Sequence, residues 1–435
     1  MDIDARLLDL TREDLPRVQE LDTLVWFEVV PGTEPEELVH HLDLRHARAL
    51  ERTGPALPGE PERDRPPLVG VYSAYDLRLT VPAPGDRLRT VPVDGLTWVG
   101  VHPDARRQGL LTRMMRDHLH RVHERGEAAV AGLHASEPAI YGRFGYGSAS
   151  LDVKLVLDRG QELRVPDELG TAADAVETHL VTLPTPEGTA ALHEAHLACA
   201  ATSLGAVTRP DAFAATWYRD VPKARGSKEP RRLLLARRDG ALTGYAVLRR
   251  ESRWEDERSR GEVTVDELGA TDHASLLALV RRLVDLDLTT KVTLRGRSVD
   301  DPVLWWCGGP RSVGVVAIDS LWLRLVDVPR ALAERGYAAP ADLVLEVVDE
   351  LCPWNAGRWR LTVDGSGAAT CEPAAGGSAP DVVLPVAALG AAYAGGRTIA
   401  AQVPTLGVRE LRPGAVRQLS RAMRGDTEPV GAIGF

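Results

Sequence analysis

Two arginines and a glycine stand between an apolar run and an amphipathic segment in VGVHPDARRQGLLTRMM, residues 99–115. A loop that turns from a strand into a helix presents unpaired backbone N–H groups, and the helix dipole adds partial positive charge there. Arg106 and Arg107 can add charge-assisted hydrogen bonds, and Gly109 lets the backbone approach an anion closely. The loop therefore predicts a site for a phosphate-bearing cofactor across residues 104–111.

Other phosphate loops do not match this stretch. It lacks the G-x-x-x-x-G-K-[ST] pattern of a nucleotide P-loop, and it has a single glycine where a dinucleotide fold uses three. A solvated arginine-rich loop is the plain alternative, because the chain uses arginine for nearly all of its 52 basic residues.

The loop needs a strand before it and a helix after it, and hydrophobic periodicity supplies both. We predict, in order, a strand at 5–10, a helix from a Thr11 cap to Leu24, a strand at 68–80, a turn at Asp94-Gly95, a strand through Val101, a helix at 110–125 and a strand at 128–136. This order is typical of an α+β or α/β domain of about 150 residues.

The middle of the chain repeats this layout without the arginine-rich loop. A hairpin around Asp239-Gly240 precedes a strand at 261–270, a helix at 273–287 and a strand at 291–296. The loop before that helix reads GATDHAS, which suggests a second copy of the domain that has lost its anion site. A final section contains further strands and a small helix, and it ends in the apolar tail EPVGAIGF.

Composition limits the possible partners. The net charge of −10 argues against nucleic acid and favours a cationic substrate. Four scattered cysteines without a C-x-x-C pair predict no metal site and a reducing cytoplasm. Three histidines between residues 118 and 123 do not share one helix face, and no apolar run is long enough to predict a membrane span.

The loop RRQGLL resembles the acyl-CoA-binding motif Arg/Gln-x-x-Gly-x-Gly/Ala of the GNAT acetyltransferases, with Leu111 in place of the last small residue. The stretches YDLRLTVP, GLTWVGVHPDARRQGLL, LHASEPAIYGRFGYG and DSLWLRLVDVPRALAERGY, together with the terminal Phe435, resemble the Eis family. The resemblance runs along the whole chain and is densest at 95–147 and 319–337.

The resemblance implies an α+β fold with tandem GNAT domains and a sterol-carrier-protein-like α+β C-terminal domain. We place these at 1–153 (active), 154–303 (degenerate) and 304–435. It also implies a cytoplasmic homohexamer built as a dimer of trimers, and acetyl-CoA as cosubstrate. By position, the cofactor-binding residues would be Val99, Val101, Arg106, Arg107, Gly109, Leu110 and Ser136.

The same resemblance implies the catalytic groups. Tyr141 matches the family's general acid, which would protonate the departing CoA thiolate. The C-terminal carboxylate of Phe435 matches its base. A Tyr141 packed against Phe144 and Tyr146, and a tail docked only for stability, are the alternatives. His134 is a further candidate for a base acting through water.

For the acceptor, Glu28 falls where the family places a carboxylate, and Trp26 and Trp98 would be aromatic walls for an ammonium group. Gly434 stands where some relatives carry an acidic residue, which removes one anionic contact. The implied function is direct acetyl transfer to primary amines, aminoglycoside-like polyamines first. A protein lysine or a small endogenous amine remains open as acceptor, and so does a non-catalytic role in binding acyl-CoA or lipid.

Overall fold

The computed structural model describes residues 4–27, 42–54, 62–209, 213–220, 222 and 225–435. The N-terminal section folds into a mixed sheet with helices on its faces. Its strands are β1 (Ala5–Asp9), β2 (Arg48–Arg52), β3 (Leu68–Ala83), β4 (Arg87–Val101), β5 (Val130–His134) and β6 (Gly147–Ser148), and its helices are α1 (Leu15–Trp26), α2 (Leu110–Arg125) and α3 (Pro138–Tyr141).

The first helix starts as the sequence predicts. The side chain of Asp14 accepts hydrogen bonds from the Thr11 backbone N–H and hydroxyl at 2.9 Å, which closes a capping box. One 3₁₀ turn precedes α1. The buried face of α1, formed by Leu15, Val18 and Leu21, packs against β3 and β4.

The central section builds a second sheet from the same kind of elements. Its strands are β7 (Leu151–Asp158), β8 (Glu177–Thr182), β9 (Val207–Thr208), β10 (Arg232–Arg238), β11 (Ala241–Glu251), β12 (Trp254–Glu255), β13 (Arg258–Ser259), β14 (Gly261–Ala270) and β15 (Thr289–Arg297), and its helices are α4 (Asp167–Asp174), α5 (Pro186–Ala201), α6 (Ala214–Trp217), α7 (His273–Val284) and α8 (Pro302–Trp306). The hairpin predicted at Asp239-Gly240 is confirmed, because both residues have positive φ angles (52° and 80°) between β10 and β11.

The C-terminal section contains a third sheet. Its strands are β16 (Val316–Asp319), β17 (Leu321–Leu325), β18 (Ala341–Val348), β19 (Gly357–Val363), β20 (Ala369–Pro373), β21 (Val382–Pro385) and β22 (Arg409–Glu410), and its helices are α9 (Val328–Glu334), α10 (Val386–Ala392), α11 (Ile399–Leu406) and α12 (Ala415–Met423). Across the described residues, no helix combines the length and the apolarity that crossing a bilayer would need.

Strand pairing ties the three sections together. The first sheet has the order β1-β2-β3-β4-β5-β17-β6, with β9 on β3, and the second has the order β16-β7-β15-β14-β11-β10-β8. The third has the order β20-β19-β18-β21-β22. The N-terminal sheet is thus completed by β17, a strand from much later in the chain, and Leu323 of β17 shares one buried cluster with Leu343 of the third sheet.

One turn predicted from the sequence is wrong. Asp94-Gly95 lies inside the long strand β4, and the chain turns earlier, at Gly85-Asp86, where both φ angles are positive. Asp94 is buried and forms an ion pair with Arg125 of α2. At Gly95 a side chain would collide with Leu77 of β3. The Asp-Gly pair therefore reflects close packing, which a local sequence pattern cannot distinguish from a turn.

Candidate functional site

The site is built around a split between two parallel strands. β4 and β5 pair only from Val93 to Gly95, opposite residues 130–132. β4 then runs six residues further, to Val101, whereas β5 ends at His134 and pairs along its whole length with β17 on its other edge. Among the described residues, the edge of β4 that faces β5 therefore has no strand partner beyond Gly95. Its peptide groups at Val99 and Val101 are available to an extended ligand.

A β-bulge opens the split further. The register of β3 with β4 shifts between Val71, opposite Gly100, and Ser73, opposite Thr97. Trp98 lies inside the bulge with a φ of 56°, which is rare for a residue with a side chain. Bulges bend a strand and re-aim its side chains. Here the bend directs the last residues of β4 away from β5.

The arginine-rich loop follows directly and leads into a helix N-terminus. After a 3₁₀ turn at Pro103–Ala105, Arg107 and Gly109 take positive φ angles of 63° and 77°, and α2 begins at Leu110. Within the described part of the chain, no side chain caps this helix. Its first intrahelical bond runs from the Arg113 N–H to the Gly109 carbonyl, so the first-turn N–H groups are left for a ligand.

A cavity of about 810 Å³ joins the strand edge to this helix end. All seven residues predicted to bind the cofactor line it: Val99, Val101, Arg106, Arg107, Gly109, Leu110 and Ser136. Both arginines are exposed at its mouth. Val25, Trp26 and Ile140 add apolar walls. An extended strand edge leading to a cationic helix N-terminus suits a chain-like ligand that ends in a pyrophosphate.

Tyr141 lies at the end of α3 and lines the same cavity. Its ring packs edge-on against Tyr146, 6.2 Å between centroids, so it is also part of an aromatic cluster. Burial raises the pKa of the Tyr141 phenol to about 12. The hydroxyl therefore stays protonated at neutral pH, in the form that can donate a proton.

The C-terminal tail reaches the other side of the split. The Phe435 ring packs edge-on against the His134 ring at 4.9 Å, and it lies so close to Gly95 that a side chain there would come within 3.0 Å of it. The Nε2–H of His134 donates to the Ile433 carbonyl at 3.0 Å. Burial lowers the pKa of His134, which keeps the imidazole neutral while it holds the tail. The Nε2 of His134 is thus hydrogen-bonded to the tail and does not point at an acetyl-acceptor amine.

The tail approaches this position across the central section. The Val430 N–H donates to the Leu204 carbonyl at 2.8 Å. The Glu428 N–H donates to Asp300 at 2.7 Å, and the Ser298 hydroxyl donates to the Glu428 carbonyl at 3.0 Å. Specific contacts therefore fix the tail before it enters the N-terminal section.

Of the residues predicted to face the acceptor, the structure describes Trp26 and Trp98. Glu28 lies outside the described residues. Trp26 lines the cofactor cavity, while Trp98 is part of a different cluster and donates from Nε1 to the Tyr75 hydroxyl at 3.4 Å. Neither Trp98 nor Phe435 is among the described residues that line the 810 Å³ cavity.

Other residues, not found from the sequence, surround the end of the tail. Tyr75 packs edge-on against Phe213 and Trp217, each at 5.4 Å, beside the cluster that Phe435 joins. Asp152 and Asp319 lie near enough for their charges to act on the pKa of His134. No motif marks these residues, because they come from separate strands and loops that only the fold assembles.

The central section has a matching cleft whose helix end is closed. β14 and β15 pair in parallel from Gly261 to Val265 and then separate, as β4 and β5 do. The N-terminus of α7 is capped by Asp272, whose carboxylate accepts from the Ser275 N–H at 2.9 Å. A carboxylate at this position repels a phosphate, so the second copy has the fold of the first without its anion site.

Comparison with known proteins also finds two related domains followed by a third. Two families described as acetyltransferase (GNAT) domain match residues 60–149 and 205–325, and a sterol carrier protein domain matches residues 328–431. A GCN5-related N-acetyltransferase from Anabaena variabilis superposes with a TM-score of 0.77 over 98% of both chains at 18% identity, which shows the fold.

Relatives in sequence extend over most of the chain. An uncharacterised N-acetyltransferase of Streptomyces coelicolor is 39% identical, covering 84% of this chain and 86% of its own. The N-acetyltransferase Eis of Mycobacterium tuberculosis is 31% identical, covering 85% and 86%. The structure of Eis1 from Mycobacterium abscessus superposes with a TM-score of 0.75 at 31% identity over 98% of both chains.

The fold and the matches together define an N-acetyltransferase of the GNAT superfamily, with two GNAT domains followed by a sterol-carrier-protein-like domain. The fold class and enzyme class predicted from the sequence are confirmed, and the GNAT domains imply an acyl-CoA donor. Within that superfamily the chain belongs to the Eis family.

Proposed function

We propose that the protein transfers an acetyl group from acetyl-CoA to a primary amine of a polycationic, aminoglycoside-like acceptor. The observation that carries this proposal is that a predicted acid and a predicted base both border the region where β4 and β5 separate. Tyr141 lines the cofactor cavity, and the Phe435 ring is seated against Gly95, where β4 and β5 separate. A donor in the cavity and an acceptor beside the tail would therefore meet at the split.

In the proposed reaction, acetyl-CoA lies along β4 with its thioester at the split. The peptide groups of Val99 and Val101 hold the pantetheine arm. Arg106, Arg107 and the first turn of α2 hold the pyrophosphate. Leu110 and Ser136 complete the walls of this cavity.

The Phe435 carboxylate takes a proton from the ammonium group of the acceptor. The free amine attacks the thioester carbonyl, and a C–N bond forms as the C–S bond breaks. The Tyr141 hydroxyl gives its proton to the departing CoA sulfur. As the amide forms, its nitrogen loses its second proton, which passes through water to the Tyr141 phenolate. The Phe435 carboxyl group releases its proton to solvent, and no acyl-enzyme is formed. All four cysteines are buried, and burial raises the pKa of the Cys199, Cys307, Cys352 and Cys371 thiols, which makes them poor nucleophiles.

Charge and open space around the tail support a cationic acceptor. Asp152 and Asp319 supply negative charge near His134. Gly434 leaves open space before the terminal residue, because no described atom lies within 4 Å of the point where a Cβ at residue 434 would stand. An acceptor of more than one ring fits such an open, acidic approach.

The test is the release of CoA thiol from acetyl-CoA by protein with an untagged C-terminus, across several aminoglycosides, spermidine and a lysine-containing peptide. We expect turnover with aminoglycosides. Tyr141→Phe should lower kcat by roughly 10²- to 10⁴-fold, the usual range for a general acid. Deletion of Phe435 should lower turnover while acetyl-CoA still binds, because Phe435 is outside the cofactor cavity.

Other outcomes select the alternatives. Turnover with the peptide or spermidine alone would assign a protein lysine or a small amine as acceptor. Tight binding of acetyl-CoA without turnover of any amine would indicate a binding protein. Full activity of Tyr141→Phe would refute the assignment of the general acid.

A cytoplasmic homohexamer, arranged as a dimer of trimers, completes the proposal. Trp305, Val316 and Ile318 are exposed by 63%, 48% and 58%, and such apolar surface is typical of a subunit interface. Light scattering should give six times the protomer mass of 47.1 kDa. A monomer at micromolar concentration would contradict the hexamer and leave the chemistry untouched.

A further inference from the structure

The loop that follows Tyr141 is hydrogen-bonded to Arg324, a residue of the C-terminal section. Arg324 of β17 is fully buried, and its Nε–H donates to the Phe144 carbonyl at 2.8 Å. Phe144 ends the 3₁₀ turn that begins directly after Tyr141. The loop closes back on itself through a hydrogen bond from the Tyr146 N–H to the Tyr141 carbonyl at 3.3 Å. Arg324 therefore holds the segment from which the Tyr141 side chain projects.

Asp349, between β18 and β19, fixes the arginine in turn. The Nη2 of Arg324 donates to both carboxylate oxygens of Asp349, at 2.7 and 2.9 Å. Asp349 also accepts from the Cys352 N–H at 3.0 Å and from the Asn355 side chain at 3.1 Å. Asn355 is itself fully buried. The C-terminal domain thus anchors the guanidinium through a saturated set of hydrogen bonds.

Two glycines let the C-terminal domain pack closely against the other side of the loop. Gly145 has a φ of 84°, and a side chain there would lie 2.7 Å from Val386 and 3.1 Å from the Arg324 Nε. At Gly147 a side chain would collide with the backbone of α10. The loop is therefore enclosed between Arg324 and α10, with little room to shift.

We propose that the buried Arg324–Asp349 pair is a positioning device for Tyr141, through which the C-terminal domain sets the reactivity of the N-terminal active site. Arg324 is not among the described residues that line the cofactor cavity, so it would act through the loop. The inference rests on the proposed role of Tyr141 as general acid. Displacement of a catalytic group by about 1 Å can cost on the order of 10²-fold in rate.

The principal variant is Arg324→Lys, which keeps a positive charge beside Asp349 but lacks the planar fork that serves Asp349 and the Phe144 carbonyl together. We expect kcat to fall at least tenfold, with the KM for acetyl-CoA changed by less than twofold. The second variant, Gly145→Ala, keeps both charged side chains but crowds Val386 and the Arg324 Nε, so it displaces the loop and should show the same kcat defect.

The decisive measurement combines each change with Tyr141→Phe. If Arg324 acts through Tyr141, then Arg324→Lys and Gly145→Ala should cause no further loss of kcat in the Tyr141→Phe background. A merely structural role would lower kcat by the same factor in both backgrounds. An acetyl thioester with a more acidic thiol needs less protonation, so it should rescue both variants as it rescues Tyr141→Phe.

Arg335→Lys is the matched control. Arg335 is also a buried arginine of the C-terminal domain, but it donates only to carbonyl groups of Gly336, Ala392, Tyr393 and Met423. Its loss should lower the melting temperature and leave the kcat of the folded protein near that of the wild type. A wild-type kcat in Arg324→Lys, or equal further losses of kcat in the Tyr141→Phe background, would overturn only the proposed positioning role of the Arg324–Asp349 pair. Full activity of Tyr141→Phe would instead overturn the proposed function on which that role rests.

Discussion

A single methyl group added to the tail should disable the acceptor side of the site from a distance. Gly431 crosses the central domain four residues before the C-terminus. A Cβ there would lie 2.9 and 3.0 Å from the Cα and carbonyl carbon of Gly296, and 3.1 Å from the Cα of Asp152. All three are main-chain atoms of the central domain, which cannot rotate away. Gly431→Ala must therefore move the tail and not its surroundings.

The size of the expected loss in kcat/KM follows from the steric overlap of a Cβ at residue 431 with its neighbours. Ordinary contacts begin at 3.4 Å, so the tail has to shift by about 0.5 Å at residue 431. Overpacking of this kind costs roughly 1–3 kcal/mol. That energy corresponds to a change of about 5- to 150-fold in the equilibrium between the docked and the released tail. We expect kcat/KM for the amine to fall at least fivefold in Gly431→Ala.

The assay is CoA thiol release with the amine varied at saturating acetyl-CoA, with the acetyl-CoA affinity measured separately. The affinity should not change, because the tail lies outside the cofactor cavity. Gly376→Ala is the matched control, since no described atom lies within 4 Å of a Cβ at Gly376 and this residue is not part of the tail. Faster removal of Phe435 by carboxypeptidase in Gly431→Ala would report release of the tail. If the two alanine variants have equal kcat/KM, the reasoning that the tail is held by this close contact is refuted.

Three further predictions concern the anion loop, a buried carboxyl and the degenerate domain. Arg106→Ala/Arg107→Ala should weaken CoA binding at least tenfold, because each charge-assisted hydrogen bond contributes about 1.5–3 kcal/mol. The double variant should turn over a short acetyl thioester without a pyrophosphate as fast as the wild type. Equal losses of turnover with acetyl-CoA and with the short thioester would contradict this prediction. Burial raises the pKa of Asp94 to about 6 from 3.8, so the folded chain binds this proton more tightly, and its contribution to stability is present below pH 4 and lost as the pH rises to 6. Urea unfolding of Asp94→Asn between pH 4 and 7 should lack this decline, and a decline equal to that of the wild type would contradict the assignment. Asp272→Ala removes the cap of α7 and should cost about 1 kcal/mol in unfolding free energy with no change in kcat; a loss of acetyl-CoA binding would show that the central cleft is not degenerate.

The parts of the site that the sequence predicts are those made by continuous segments. The strand, the Arg106–Gly109 loop and α2 follow one another without interruption, so local patterns are enough to place them. Tyr141 lies within such a segment too, in the specific stretch SEPAIYGRFGYG. All seven residues predicted to bind the cofactor line one cavity.

The parts that the sequence does not predict depend on contacts between distant segments. Asp94-Gly95 has the residue types of a turn, and only the packing of Leu77 and Arg125 reveals a strand interior. Trp26 lines the cofactor cavity, whereas Trp98 lies in the bulge of β4 and packs against a cluster that includes Leu15, Val18 and Leu21. Arg324 is one arginine among many in this chain, and only its burial beside Asp349 distinguishes it.

The order in which the chain is synthesised gives the position of β17 a further meaning. β5 pairs with β17 from Val130 to His134, so the catalytic sheet stays incomplete until residues 321–325 have left the ribosome. This edge of β5 stays unpaired while the whole central domain is synthesised. An open strand edge can pair with other chains. The N-terminal domain therefore cannot finish folding as an independent unit during translation. A nascent chain that stalls before β17 leaves this edge of β5 unpaired, whereas a chain that includes residues 321–325 can close the sheet.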